Sequence, residues 1–329
     1  MNRVIDGKIA EIKKLLINST KLKILCVSTT ANIKNSDLFF GPSRETQTTI
    51  AANLILRNDD YFKKIIEEFD GVADYFFVDP EIKNELKNLE SFFIANIKKS
   101  KLLIVKPNDF TVESVDMFIA CLFGSLLNKQ VLILGGGNIG SKMALRLSER
   151  GANVFIYDLN IEKVKKIIIG LELFKRGSGS LIASSDKYDG ASHADLIIGC
   201  TPGIPVIDKK IIADMNSAGV IIDIGLGTIW PEAIDEARKK GIKIFSGSNL
   251  PGYIGMVENW LEWNKILTSL GRKKINDEII LVTRGFLGFK GDLIVDDINA
   301  PKHIYGVCDG IGSTLSGEEA EFYLKKFTI

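Results

Sequence analysis

The chain is poor in the residues on which many catalytic and metal sites depend. Among 329 residues there are two histidines, His193 and His303, and neither has a second imidazole nearby in sequence. A zinc site is therefore not expected, nor any other metal, and a Ser-His-Asp triad would have to use one of these two. The four cysteines, Cys26, Cys121, Cys200 and Cys308, are scattered, with no CxxC pair and no disulfide-framework spacing. They read as small apolar residues. Charge of one sign is missing too. Forty-two Lys plus Arg against 41 Asp plus Glu leave a net charge of +1, which gives no reason to expect a nucleic-acid or anionic-membrane partner. Long hydrophobic runs are absent: the longest, Met117 to Leu127, is too short to span a bilayer. The stretch from Met1 to Lys14 mixes charges with isolated apolar residues and lacks the apolar core of a signal peptide. The expectation is a soluble, cytoplasmic protein, with homo-oligomerisation left open.

What is present is an alternation of helical and strand-like segments in a chain long enough for about two domains, 46% of it hydrophobic. Ile5 to Ile17 carries a helical apolar stripe. Strand patterns follow at Lys23–Ser28, Ala73–Val78 and Lys101–Val105. Between them the spacing predicts a loop around Gly41-Pro42 and helices at Thr46–Leu56, Tyr61–Phe69 and Glu81–Lys98. A helix from Thr111 to Leu127 leads into six further strands: Val131–Leu134, Val154–Tyr157, Leu181–Ala183, Leu196–Cys200, Val220–Ile224 and Ile242–Phe245. Another helix spans Gly252 to Leu270. The tail reads as strands at Ile279–Thr283 and Leu293–Val295 and a helix near Gly317–Lys326. The fold class is α/β: a smaller N-terminal α/β domain (1–110), then a linking helix and a doubly wound parallel-sheet Rossmann domain (111–270). The C-terminal extension (271–329) carries Asp309 with Gly306, Gly310 and Gly312, a loop suited either to covering a cleft or simply to turning the chain.

The most informative segment is VLILGGGNIGSKMALRLSERGANVFIYD. Gly135, Gly137 and Gly140 satisfy GxGxxG directly after a strand and before a helix. The first glycine permits the tight turn, the second lets backbone approach a pyrophosphate, and the third allows close helix–strand packing. Asn138 and Ile139 open the helix, whose free N–H groups suit phosphate. Asp158 ends the next strand, 23 positions after Gly135, where a carboxylate meets a ribose 2′-hydroxyl. That acid favours NAD over NADP, although Asn160 and Lys163 could help accommodate a 2′-phosphate. Thr201-Pro202-Gly203 and Gly225-Leu226-Gly227 follow two later strands and leave room for a nicotinamide ring.

These motifs resemble the shikimate dehydrogenase and methylene-tetrahydrofolate dehydrogenase group of the amino-acid-dehydrogenase-like Rossmann superfamily. The resemblance covers roughly Lys101 to Asn259. It implies a substrate domain, a dinucleotide domain and an interdomain cleft. The shikimate enzymes carry an Asn-Thr-Asp segment before the linking helix, its aspartate part of a lysine–aspartate pair. Asn108-Asp109 stands in a similar place, without the threonine. Gly252 to Asn259 has the end-to-end spacing of the family's Gly-x-x-Met-Leu-x-x-Gln, with Asn259 at the glutamine position. The family's Val-Thr-x-Pro-x-Lys segment is not found, and Lys106 is the nearest lysine on the right turn. Thr111 to Gly140 also resembles glutamyl-tRNA reductases, which need a cysteine where this chain has Ser28-Thr29-Thr30.

Taken together, Lys106 and Asp109 are the expected proton-transfer pair, with Asp109 alternatively a cap for the helix at Thr111. Arg44, Asn108 and Asn259 are the expected substrate contacts, Arg44 as a clamp for a carboxylate. The function expected is NAD(P)-dependent oxidation or reduction of a small polar substrate, a hydroxy or amino acid. Two rivals stay open: a non-catalytic dinucleotide sensor, and an enzyme that cycles a tightly held NAD internally.

Overall fold

The protein is described from a computed structural model that covers residues 3–32, 34–83, 86 and 88–327. The chain opens with α1 (Arg3–Ile17), then β1 (Leu22–Thr29), β2 (Leu38–Glu45), β3 (Thr49–Leu56) and α2 (Phe62–Phe69). Next come β4 (Tyr75–Val78), α3 (Leu89–Asn96), β5 (Lys101–Ile104) and α4 (Pro107–Phe123). These strands form a five-stranded sheet in the order β2-β3-β1-β4-β5, parallel except for β2 at its edge. One face, with Leu25, Val27 and Phe76, packs with Leu16, Phe69 and Phe93 from α1, α2 and α3.

After α4 the chain alternates strictly. The elements are β6 (Gln130–Leu134), α5 (Asn138–Glu149), β7 (Asn153–Tyr157), α6 (Ile161–Glu172), β8 (Ser180–Ser184) and β9 (Leu196–Gly199). They continue with α7 (Lys209–Asp214), β10 (Val220–Asp223), α8 (Pro231–Lys240), β11 (Lys243–Ser246) and α9 (Leu250–Thr268). The second sheet is six-stranded, all parallel, in the order β11-β10-β9-β6-β7-β8. Its central strands are buried on both faces, which explains uninterrupted apolar runs such as Val131–Leu134 and Leu196–Ile198. The strand order reverses between β6 and β9. In such a sheet, ligands bind at the carboxyl edge beside that reversal.

The chain divides into two compact units, 1–254 and 255–329, and both parallel sheets lie in the first. The second unit contains β12 (Arg272–Lys274), β13 (Ile280–Thr283), β14 (Leu293–Val295), β15 (Ile304–Val307) and α10 (Gly317–Leu324). Its sheet runs β12-β13-β14-β15 around Leu281, Leu293, Val295 and Val307. Buried Asp292 receives a two-pronged bond from Arg272 at 2.7 and 3.0 Å. The Asp309 carboxylate accepts the Ile311 and Ser313 N–H groups, so this acid holds a turn. Among the described residues no helix is long and apolar enough to cross a membrane.

Several local expectations are corrected. Thr46–Leu56, expected as a helix, contains β3, and the Gly41-Pro42 loop lies inside β2. Thr49 to Leu54 is buried at every position, so no two-residue alternation marks the strand, and Ala-Ala-Asn-Leu imitates a helix locally. The helix expected over Glu81–Lys98 is confined to α3, although residues 84, 85 and 87 lie outside the described residues. The linking helix starts at Pro107 rather than Thr111, because proline is well suited to a first turn. Strands β12 and β15 were not expected at all.

The glycines predict opposite effects of one substitution. A Cβ on Gly140 would stand 2.0 Å from the Gly135 carbonyl oxygen, whereas one on Gly170, in α6, meets nothing within 4 Å. Gly140→Ala should destabilise by at least about 1–3 kcal/mol, and Gly170→Ala should stabilise by about 0.5–1 kcal/mol. Denaturant unfolding of the two variants against the parent checks both signs.

Candidate cofactor and substrate cleft

Between β6 and α5 the backbone turns where only hydrogen fits. Gly135 has φ +113°, and a Cβ there would lie 2.9 Å from the carbonyl carbon of Cys200. Gly137 is different: its φ is −85° and a Cβ would meet nothing within 4 Å. The space in front of Gly137 is open. As the N-cap of α5 it offers no side chain to the first N–H groups, those of Asn138, Ile139 and Gly140. An open glycine before the free N–H groups of a helix N-terminus suits an anionic group such as a phosphate.

Asp158 sits where the sequence puts it, at the end of β7, but it is engaged. Its Oδ2 accepts the Gly136 N–H at 2.9 Å and lies 3.4 Å from Lys163 Nζ, while Oδ1 accepts the Asn160 N–H at 3.2 Å. Asn160 in turn caps α6 through the Lys163 N–H. On the other side of the reversal, the turns after β9 and β10 lie against each other. A Cβ on Gly225 would fall 1.8 Å from the Thr201 carbonyl oxygen. Thr201 Oγ1 donates to the Ile204 carbonyl at 2.6 Å, and Pro202 is exposed.

The five-stranded sheet faces this edge with its own strand ends. Lys34 Nζ donates to the Gly203 carbonyl at 2.6 Å, and the space a Cβ on Gly203 would take is filled by Asn32. Glu81, just past β4, accepts from Asn108 at the start of α4 and from Asn138 at the start of α5, the latter at 3.3 Å. The strand ends of both sheets are therefore brought together within the first unit.

The expected pair, Lys106 and Asp109, is 3.3 Å apart, yet both side chains are nearly half exposed and Asp109 also binds Lys142 of α5. Asp109 is not a cap; it lies inside the first turn of α4. It heads a ladder of charges between α4 and α5, continued by Glu113–Arg146 at 2.7 Å, Asp116–Arg146 at 3.1 Å and Asp116–Arg150 at 3.0 Å. Arg44 donates to Asn249 Oδ1 at 2.7 Å and lies over the Tyr253 ring at 4.7 Å. It ties β2 to the start of α9. Asn259, further along α9, belongs to the second unit and is exposed. Burial pushes the Cys26 thiol up to about 11 despite nearby Arg44, and burial with Asp223 pushes Cys200 up to about 12. Neither supplies a thiolate near neutral pH.

The lysine that sequence reasoning missed is Lys83. Its ammonium lies 2.9 Å from Oδ2 of the fully buried Asp79, 3.2 Å from the Thr29 carbonyl and 3.4 Å from Glu81. Asp79 is held in turn by the Glu81 N–H at 2.9 Å. This is a partly buried lysine on a fully buried carboxylate just past β4, joined through Glu81 to Asn108 and to Asn138 after the glycine turn. A signal existed: Val78-Asp79-Pro80-Glu81-Ile82-Lys83 keeps the valine-to-lysine spacing of the family segment, with its proline one place early.

Residues 112–256 match the family profile "Alanine dehydrogenase/PNT, C-terminal domain". Over 139 residues the chain is 27% identical to shikimate dehydrogenase (NADP(+)) of Methanococcus maripaludis, covering 41% of this chain and 49% of that protein. Over 155 residues it is 26% identical to the alanine dehydrogenase of the same species, covering 42% and 40%. The chain thus spans about half or less of the length of these curated relatives. A solved shikimate dehydrogenase from Aquifex aeolicus is similar over 74% of this chain and 94% of its own, at 17% identity and a TM-score of 0.44. The Rossmann assignment itself stands on the strand order and the glycine turn.

Lys142 and Lys106 hold the Asp109 carboxyl below its usual value of 3.8, outweighing the upward push of partial burial. A depressed folded-state value contributes stability above the ordinary carboxylate range and loses it as pH falls through the folded value. Melting temperature measured from pH 6 down to pH 2.5 should therefore fall less steeply in Asp109→Asn than in the parent. The difference should be small, because the pair is solvent-screened; identical acid limbs would remove the ion pair from the account.

Proposed function

We propose that the protein is an NAD(P)-dependent dehydrogenase of a small polar substrate, a hydroxy or amino acid, bound against the five-stranded sheet. One observation carries this reading: Glu81 bridges the Lys83–Asp79 pair to the first turn of α5, directly after the open glycine turn. In this reading residues 1–110 supply the substrate side and residues 111–270 the cofactor side. The dehydrogenase names of the relatives support it.

Gly135, Gly137, Asn138, Ile139 and Gly140 would hold the pyrophosphate, Asp158 the adenosine ribose, and the turns at Thr201-Pro202 and Gly225 the nicotinamide half. When bound, the dinucleotide supplies the hydride chemistry. The protein's part is to place the substrate and handle a proton. The Lys83 ammonium donates to Asp79 and to the Thr29 carbonyl and lies within ion-pair distance of Glu81. A substrate oxygen would take the place of Glu81, the longest of the three contacts. There Lys83 donates a proton to an oxygen gaining negative charge, or accepts one in the reverse direction, while Asp79 keeps it oriented. The exposed Lys106–Asp109 pair is less suited to this work, because water competes for both groups. Asn108, through Glu81, and Lys34 on the β1 loop are better placed than Arg44 to meet a polar substrate.

On cofactor choice, Asp158 favours the unphosphorylated ribose, but Lys163 beside it offsets part of the negative charge. We therefore expect NADH to bind more tightly than NADPH by a modest factor, roughly tenfold or less. Fluorescence titration of both reduced cofactors decides this, and tighter NADPH binding would reverse it. The catalytic assignment is checked by screening small hydroxy and amino acids for cofactor reduction, then comparing variants. Lys83→Met should lower turnover by about two to four orders of magnitude, with cofactor affinity little changed. Lys106→Met should stay within a few-fold of the parent. Normal turnover in Lys83→Met would move the proton chemistry elsewhere.

A further inference from the structure

Three described residues other than glycine have positive φ: Asn128, His193 and Leu226. Asparagine and histidine take this left-handed conformation comparatively readily, whereas a branched apolar side chain resists it. Leu226, at φ +58°, is the outlier. Its neighbours leave it no freedom. Gly225 is pressed against the Thr201 carbonyl, and Gly227 has φ +102°. The Asp223 carboxylate pins the turn from below, accepting the Gly227 N–H at 2.7 Å, the Thr228 N–H at 3.3 Å and the Thr228 hydroxyl at 2.8 Å.

Such strain is ordinarily retained when burial offsets it. Here it is not offset: the Leu226 side chain is 62% exposed. The chain keeps an apolar group in a costly backbone state and leaves it in water. Strain of this kind gathers where a ligand is gripped. The position says which part of a ligand. Strand β10 lies beyond β9 from the strand reversal, on the side opposite β7 and Asp158. A dinucleotide crossing at the reversal has its adenosine half over β7 and its nicotinamide half over β9 and β10.

We propose that Leu226 is a positioning residue for the nicotinamide ring: an apolar wall, held in a strained turn by Asp223, that packs on the ring when a dinucleotide binds. This deepens the dehydrogenase reading and rests on it. An alternative use of the strain, simply to shape the turn, makes different predictions.

The test compares NADH with ADP-ribose, which lacks the nicotinamide, by calorimetric titration of the parent, Leu226→Gly and Leu226→Asn. Leu226→Gly relieves the strain and removes the wall, so its melting temperature should rise while NADH binding weakens about fivefold or more. ADP-ribose affinity should stay within about twofold of the parent, since its contacts lie on the other half of the sheet. Leu226→Asn keeps a residue suited to the left-handed turn but makes the wall polar. It should show the same selective loss without a fall in melting temperature, and it decides the matter if the glycine variant folds poorly. Equal changes in both affinities, or no change in either, would overturn the proposal while leaving dinucleotide binding intact. Failure of the parent to bind either probe would overturn the dehydrogenase reading, and this inference with it.

Discussion

The structure depends on one close approach, that of the β6–α5 turn to its surroundings. Gly140 packs on the Gly135 carbonyl and Gly135 on the carbonyl group of Cys200. No side chain can stand in either gap. These contacts draw α5 down onto the sheet and aim its N-terminus at the strand reversal, and they set the β9 turn beside the same spot. From there the Gly225–Thr201 contact seats the β10 turn as well. Each contact is only backbone against backbone, yet the carboxyl edge of the second sheet takes its shape from them.

The five-stranded sheet is joined to this edge by polar contacts of two kinds. The ladder Asp109, Glu113 and Asp116 on α4 against Lys142 and Arg146 on α5 and Arg150 at its C-cap fixes the two helices alongside each other. Most of these groups are partly exposed, so the ladder sets geometry more than it adds stability. Glu81 is the other kind. It lies between Lys83, Asn108 and Asn138, linking the Lys83–Asp79 pair to the first turn of both helices. The Lys83–Asp79 pair and the first turns of α4 and α5 are thereby held in one network.

The second sheet could be read from the sequence nearly strand by strand, because a doubly buried parallel strand is a short apolar run between turn residues. The glycine turn was equally legible, since its residue types are dictated by steric exclusion. The same rule failed in the first sheet. β3 is buried at almost every position but carries Ala-Ala-Asn, so its pairing with β1 and β2 overrides a local helical preference. Lys83 was hidden for a different reason. The proline of its segment stands one place early in the family spacing, and the convergence of Asp79, Thr29 and Glu81 on its ammonium is visible only in the fold. Lys106 and Asp109 were visible because they are close in sequence, and the fold leaves both nearly half exposed.

The proposed dehydrogenase activity requires the β6–α5 turn to hold a dinucleotide pyrophosphate in front of Gly137. The direct measurement is fluorescence titration of NADH against Gly137→Val, with circular dichroism and melting temperature recorded on the same samples. Because the space before Gly137 is open and its φ suits any residue, the variant should fold and melt like the parent. Its isopropyl group should fill the cradle and abolish binding. A folded Gly137→Val that binds NADH with the affinity of the parent would contradict the account.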